Sequence, residues 1–141
     1  MFVQLIAALL IASAAVLTPG DSRLAATAAQ WHLLRQAEPG QNLTSITCPG
    51  VHTCYVAGSV VLRTRDRGST WRTLVEQVPG TSSGITCPST TMCFVSTKSG
   101  NLLVTRNGGA AWSQLQLSSR PLGPIACPTL RTCYVLVFPC T

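Results

Sequence analysis

The chain has 141 residues, room for one domain or for part of a larger one. Charged residues make up 10% of it and hydrophobic ones 46%, and Thr, Ser, Gly, Val and Pro dominate after residue 40, a mixture that favours short strands and turns over helices. The formal charge is +6, from ten Lys and Arg against four Asp and Glu, but only Arg63, Arg65, Arg67 and Arg72 cluster. They alternate along a strand-like run with Leu62 and Thr64, which reads as a solvated outer face. No interleaved aromatics or nucleic-acid motif accompany them, so nucleic acid is not an expected partner.

Residues 1–17 form an apolar run shorter than the roughly 20 residues that a spanning helix requires. Ala12-Ser13-Ala14 offers a cleavage site of small residues, and Pro19-Gly20 breaks the helix behind it. Residues 1–20 therefore read as a secretory signal helix. An N-terminal anchor is the alternative, since no Lys or Arg precedes Arg23. No stable membrane insertion is expected beyond that segment. Residues 21–30 are a short Ala-rich stretch, residues 31–35 read as a strand, and Pro39-Gly40 marks a turn.

Three units then align with one another. The first carries Leu43-Thr44-Ser45-Ile46-Thr47-Cys48-Pro49 and Cys54-Tyr55-Val56-Ala57-Gly58. The second carries Ser83-Gly84-Ile85-Thr86-Cys87-Pro88 and Cys93-Phe94-Val95-Ser96, and the third Pro124-Ile125-Ala126-Cys127-Pro128 and Cys133-Tyr134-Val135-Leu136. The repeated cysteines recur every 39 and then 40 residues. A period near 40 with four short strands per unit is that of a propeller blade. In the first unit the strands fall at 45–48, 54–57, 59–64 and 71–75, with Tyr55, Phe94 and Tyr134 of the second strands as core. The expected architecture is an all-β, partial β-propeller over residues 21–141. Blade one spans about 43–78 and blade two about 83–117. An incomplete blade at 124–138 stops after its second strand, with strand 31–35 available to close it. About three blades fall short of the four to eight of a closed ring, so either several chains complete the ring or the sequence is a piece of a longer propeller.

Between the third and fourth strands stands Thr64-Arg65-Asp66-Arg67-Gly68-Ser69-Thr70-Trp71. It returns 41 residues later as Thr105-Arg106-Asn107-Gly108-Gly109-Ala110-Ala111-Trp112. Asp66 or Asn107 can turn its side-chain oxygen back onto the amides just ahead, Gly68 and Gly109 can supply a positive φ, and Trp71 and Trp112 then open the next strand as large packing plates. A third, eroded copy keeps only Trp31.

The octapeptide resembles the Asp-box, or BNR repeat, Ser/Thr-x-Asp-x-Gly-x-x-Trp, of sialidase-like β-propellers. Thr64, Asp66, Gly68 and Trp71 match all four defining positions. Thr105, Gly109 and Trp112 match three, with Asn107 in place of Asp. The units also resemble those of photosystem II stability/assembly factor-like proteins and exported Cys-Pro repeat propellers. The resemblance implies a turn joining the third and fourth strands of each blade, and scaffolding or recognition at the propeller rims.

Seven cysteines are many for such a chain, and a secretory signal would place them in an oxidising compartment. Cys48/Cys54, Cys87/Cys93 and Cys127/Cys133 share the form Cys-Pro-x4-Cys, each bracketing a short turn between two β runs, and are expected as disulfides. A four-thiolate zinc site would need closer spacing within a pair, and the pairs lie on separate blades. Cys140 is left over, and the Cys-x-x-Cys of redox catalysis is missing.

Catalytic groups are scarce. The carboxylates are Asp21, Glu38, Asp66 and Glu76, of which Asp66 belongs to the turn motif; a glycosidase needs paired acids or, in sialidases, a tyrosine nucleophile with acidic partners. Tyr55 and Tyr134 read as packing residues, His32 and His52 lack partners for a triad, and no nucleophile elbow or phosphate loop occurs. The expectation is a secreted, extracellular or cell-surface, noncatalytic module without a cofactor, binding a protein or a glycan. The alternatives are an oligomeric propeller lectin and the remnant of a sialidase-like glycoside hydrolase. Asn42-Leu43-Thr44 is an N-glycosylation sequon.

Overall fold

Runs of Val, Ile, Leu, Thr and Tyr, cut at intervals by Gly, Pro and Ser, fold into strands in a computed structural model that describes residues 37–139. Four strands pair in sequence order into a first antiparallel sheet: β1 (Leu43–Thr47), β2 (Cys54–Gly58), β3 (Val61–Thr64) and β4 (Arg72–Val75). A second sheet repeats it with β5 (Ser82–Thr86), β6 (Cys93–Thr97), β7 (Asn101–Thr105) and β8 (Ser113–Gln116). A third has two strands, β9 (Leu122–Ala126) and β10 (Tyr134–Val137). The expected signal helix at 1–20, the strand at 31–35 and Cys140 lie outside the described residues. Among the described residues there is no helix, so none is long and apolar enough to cross a membrane.

The strand bounds differ from the sequence reading by one or two residues, the third strand beginning at Val61 where 59 is expected. The first strand begins at Leu43, two residues early, because a bulge between Leu43 and Ser45 lets it stay paired with β2 out to Gly58. The fourth begins at Arg72, since Trp71 is still engaged in the preceding turn.

Successive side chains of a strand point to opposite faces, so each sheet has two faces to cover. Tyr55, Ala57 and Val61 of the first sheet meet Ile85, Val95 and Leu103 of the second in one buried cluster with Val78, Cys87 and Cys93. Val56, Val60 and Leu62 project from the other face and are closed over by Leu43 and Trp71. The sheets stack through their inner strands: β1 and β2 lie on β5, and β5 and β6 lie on β9. The core therefore sits between sheets, and each sheet depends on its neighbour.

Cys48–Cys54, Cys87–Cys93 and Cys127–Cys133 are disulfide-bonded, each closing the turn from the first to the second strand of a sheet. Within the first two sheets that turn is latched to the turn between the third and fourth strands. The Arg67 amide donates to the His52 carbonyl at 3.1 Å, and the Gly108 amide donates to the Thr91 carbonyl at 2.8 Å.

Tyr134 departs from its expected place. Tyr55 is fully buried and Phe94 half-buried, but Tyr134 is 66% exposed, because among the described residues no following sheet covers the face of β10 on which it lies.

Candidate functional site

The two turns that follow β3 and β7 are built alike. Thr64 Oγ1 accepts from the amides of Asp66 (3.3 Å) and Gly68 (2.9 Å) and donates to Asp66 Oδ1 (2.7 Å). Asp66 Oδ1 accepts from the Thr70 amide at 2.8 Å, and Oδ2 accepts from the Thr70 hydroxyl at 2.5 Å. The Thr70 hydroxyl first, then its amide, then the Thr64 hydroxyl hold the Asp66 carboxyl down at about 2. In the second turn Thr105 Oγ1 accepts from the Gly109 amide (2.9 Å) and donates to Asn107 Oδ1 (3.0 Å), which accepts from the Ala111 amide (2.9 Å). An amide oxygen thus does the same work as the carboxylate, without the charge.

Both turns place two consecutive residues at positive φ: Arg67 (60°) and Gly68 (89°), Gly108 (68°) and Gly109 (87°). Gly109 has a second reason to be glycine, since a Cβ there would run into Leu74 Cδ1 of the first sheet. Trp71 Nε1 donates to the Gly68 carbonyl at 3.1 Å, whereas Trp112 Nε1 is buried without a hydrogen-bond partner. Both rings are half-buried.

Three arginines of the first sheet converge where it meets the second turn. Arg63 of β3 pairs in register with Tyr55 on one side and Arg72 of β4 on the other, so it shares the face that looks toward the second sheet. It is half-buried and donates from Nη1 to the Gly108 carbonyl. Arg65 comes two residues later, and its guanidinium lies beside Gly108 as well: a Cβ there would sit 3.5 Å from Arg65 Nη2 and 3.6 Å from Arg63 Nη1. Between them the two sheets enclose a cleft of about 380 Å³, lined by Arg63, Arg65, Arg72 and Leu74 from the first and by Asn107, Gly109 and Ala110 from the second. A smaller hollow of about 180 Å³ adjoins it, bordered by the same three arginines with Thr70 and Trp71. None of the residues lining either space is acidic.

Arg63 and Arg72 stand directly opposite each other across the β3–β4 ladder, where like charges destabilise a sheet. Guanidinium groups gathered in this way are suited to bidentate hydrogen bonding of carboxylate or phosphate oxygens. The lining of the cleft is thus cationic.

Other sequence candidates are scattered. His52 lies in the first disulfide-closed turn, Tyr55 spends its hydroxyl on the Thr90 carbonyl at 2.7 Å, and Glu76 and Glu38 are exposed. Among the described residues no group of three or more His, Cys, Asp or Glu side chains could hold a metal ion. His32 and Asp21 lie outside the described residues. The convergence of Arg63, Arg65 and Arg72 on the following sheet's turn was missed in the sequence, where they read as an outer face. The available signal was parity: Arg63 shares a face with Val61, and Val61 is core.

No family model matches the sequence, and no curated protein matches it. Among solved structures, one described as YCF48 bound to D1 peptide is similar, with a TM-score of 0.60 and 16% identity, over 69% of this chain and 34% of that one. YCF48 is a β-propeller. The fold here is propeller-like. The two four-stranded antiparallel sheets are blades of that architecture, and the chain spans about a third of the length of the structure it resembles.

Proposed function

We propose that this chain is a secreted, noncatalytic recognition module of the Asp-box propeller class, and that it binds an acidic segment of a protein in the cleft between its first two blades. The observation that carries the reading is the convergence of Arg63, Arg65 and Arg72 on the turn of the next blade, in a cleft with no acidic lining residue. A bound carboxylate would offset the repulsion between Arg63 and Arg72 and meet the planar donors that Arg presents. The threonine-centred hydrogen bonding of both turns supports the Asp-box assignment. Three disulfides are the chemistry of an oxidising compartment and support export. A propeller-like structure solved with a peptide bound is consistent with a protein ligand.

The acidic residues support the noncatalytic reading. Asp66 is engaged by Thr64 and Thr70 within its turn, and neither Glu38 nor Glu76 lines the cleft. A uronic or sialic acid would present the same carboxylate, so the lectin reading competes for the same arginines.

Fluorescence anisotropy with a labelled peptide rich in Asp and Glu, against its Asn and Gln isostere, tests the proposal. The acidic peptide should bind, more weakly as salt rises, and Arg65→Ala or Arg72→Ala should each weaken it about tenfold. Equal binding of the isostere, or indifference to both arginine substitutions, would refute it.

A further inference from the structure

The contact between consecutive sheets is made twice inside the molecule by the same strands, the first two of one sheet against the first of the next, although the polar positions that bridge them differ. From the first sheet to the second, Tyr55 donates its hydroxyl to the Thr90 carbonyl at 2.7 Å, Thr44 Oγ1 donates to the Ser82 carbonyl at 3.1 Å, and Ser45 Oγ accepts from the Ile85 amide at 3.2 Å. From the second sheet to the third, Ser96 Oγ donates to the Gly123 carbonyl at 2.7 Å. The giving half is a face of the first two strands of a sheet. The receiving half is the first strand of the next sheet, with its disulfide-closed turn.

Among the described residues each half also occurs a further time, uncovered. On β10, Tyr134 and Leu136 take the repeat positions of Tyr55 and Ala57, which are both fully buried, yet they are 66% and 59% exposed. On β1, Ile46 takes the position of Ile85 and is 53% exposed where Ile85 is 6% exposed. Val51 takes the position of Thr90, the acceptor of the tyrosine hydroxyl, and is 83% exposed. Although the third sheet has only two described strands, those two are the ones that do the giving in the sheets before it. The outer part of the first sheet's free face is already closed by Leu43 and Trp71, which leaves β1 and its turn as the receiving surface.

We infer that a second copy of this chain docks its β1 and its 49–53 turn on the β9–β10 face, so that the blade sequence continues head to tail from one chain into the next. Among the described residues the complementary halves of an interface the molecule already makes are both present, with Tyr134 and Leu136 uncovered on one and Ile46 and Val51 on the other, so a second copy supplies what each lacks. In the repeat's register the Tyr134 hydroxyl donates to the Val51 carbonyl of the second copy, and Leu136 and Ile46 take the places of Ala57 and Ile85. The contact is heterologous: the two copies use different surfaces, and a chain has one of each.

Sedimentation velocity of the full chain over a concentration series, under non-reducing conditions, tests this. Wild type should form species of more than one chain that grow with concentration. Leu136→Arg removes the giving half and Ile46→Arg the receiving half, and each alone should lose those species. A mixture of the two variants should recover a dimer and nothing larger, because each chain keeps the half the other lacks. Both positions are exposed, and Tyr134→Phe, which deletes only a hydroxyl, should weaken association about fivefold. A wild type that stays a single chain throughout would overturn the inference and leave the face bare or for a different protein. Failure of the mixture to recover a dimer, or association unchanged by all three substitutions, would overturn it equally.

Discussion

Asp66 and Asn107 fill the same place in two turns, and the difference between them is a single titratable group. Asp66 is held at about 2, against an ordinary 3.8, by the Thr70 hydroxyl and amide and the Thr64 hydroxyl. A carboxylate depressed by folding contributes stability that is complete above its unfolded value and is lost as pH falls through its folded one. The first blade should therefore weaken as pH drops from about 5 toward about 2, while the turn at Asn107 contributes no such dependence. Asp66→Asn should flatten that stretch of the stability curve, read as the urea midpoint against pH; an unchanged slope would mean the carboxylate is not held as described. The residue types of this motif made the side-chain-to-backbone turn legible in the sequence. The part of Thr64 and Thr105 was not, because their hydroxyls accept from amides up to four residues on, a contact that depends on the two positive-φ residues between.

The strands and their order were legible, since short β-branched runs with a period near 40 residues and paired cysteines leave few other arrangements. What spacing does not carry is how one sheet sits on the next. Arg63 reads as a solvent-facing residue of a half-exposed strand, but the stacking of β1 and β2 on β5 turns its face toward the second blade and brings Nη1 to the Gly108 carbonyl. Tyr134 reads as core by its likeness to Tyr55, yet core status depends on the sheet that follows, not on the strand that carries the residue. Tyr55 shows the contact Tyr134 lacks among the described residues. Its hydroxyl bridges the first two blades, at a position where the second blade has Phe94, so Tyr55→Phe preserves the ring and deletes the bridge. The loss should be about 1 kcal/mol of unfolding free energy by chemical denaturation. No loss would mean that ring packing alone joins the blades.

For the molecule as a whole, the proposed recognition site lies at the junction that holds the first two sheets together. The first two sheets bury Tyr55, Val61, Ile85, Val95 and Leu103 between them, and at the margin of that core they leave a cleft whose cations come from one sheet and whose turn comes from the other. Neither blade alone has the site. We propose that an acidic protein segment binds across this junction. The most direct measurement is NMR of the labelled full chain during titration with the Asp- and Glu-rich peptide, following arginine side-chain and glycine backbone signals. On binding, the Nε–H signals of Arg63, Arg65 and Arg72 and the amides of Gly108 and Gly109 should shift together, along one binding curve. Shifts confined to one blade, or a peptide that moves other residues and leaves these in place, would contradict it.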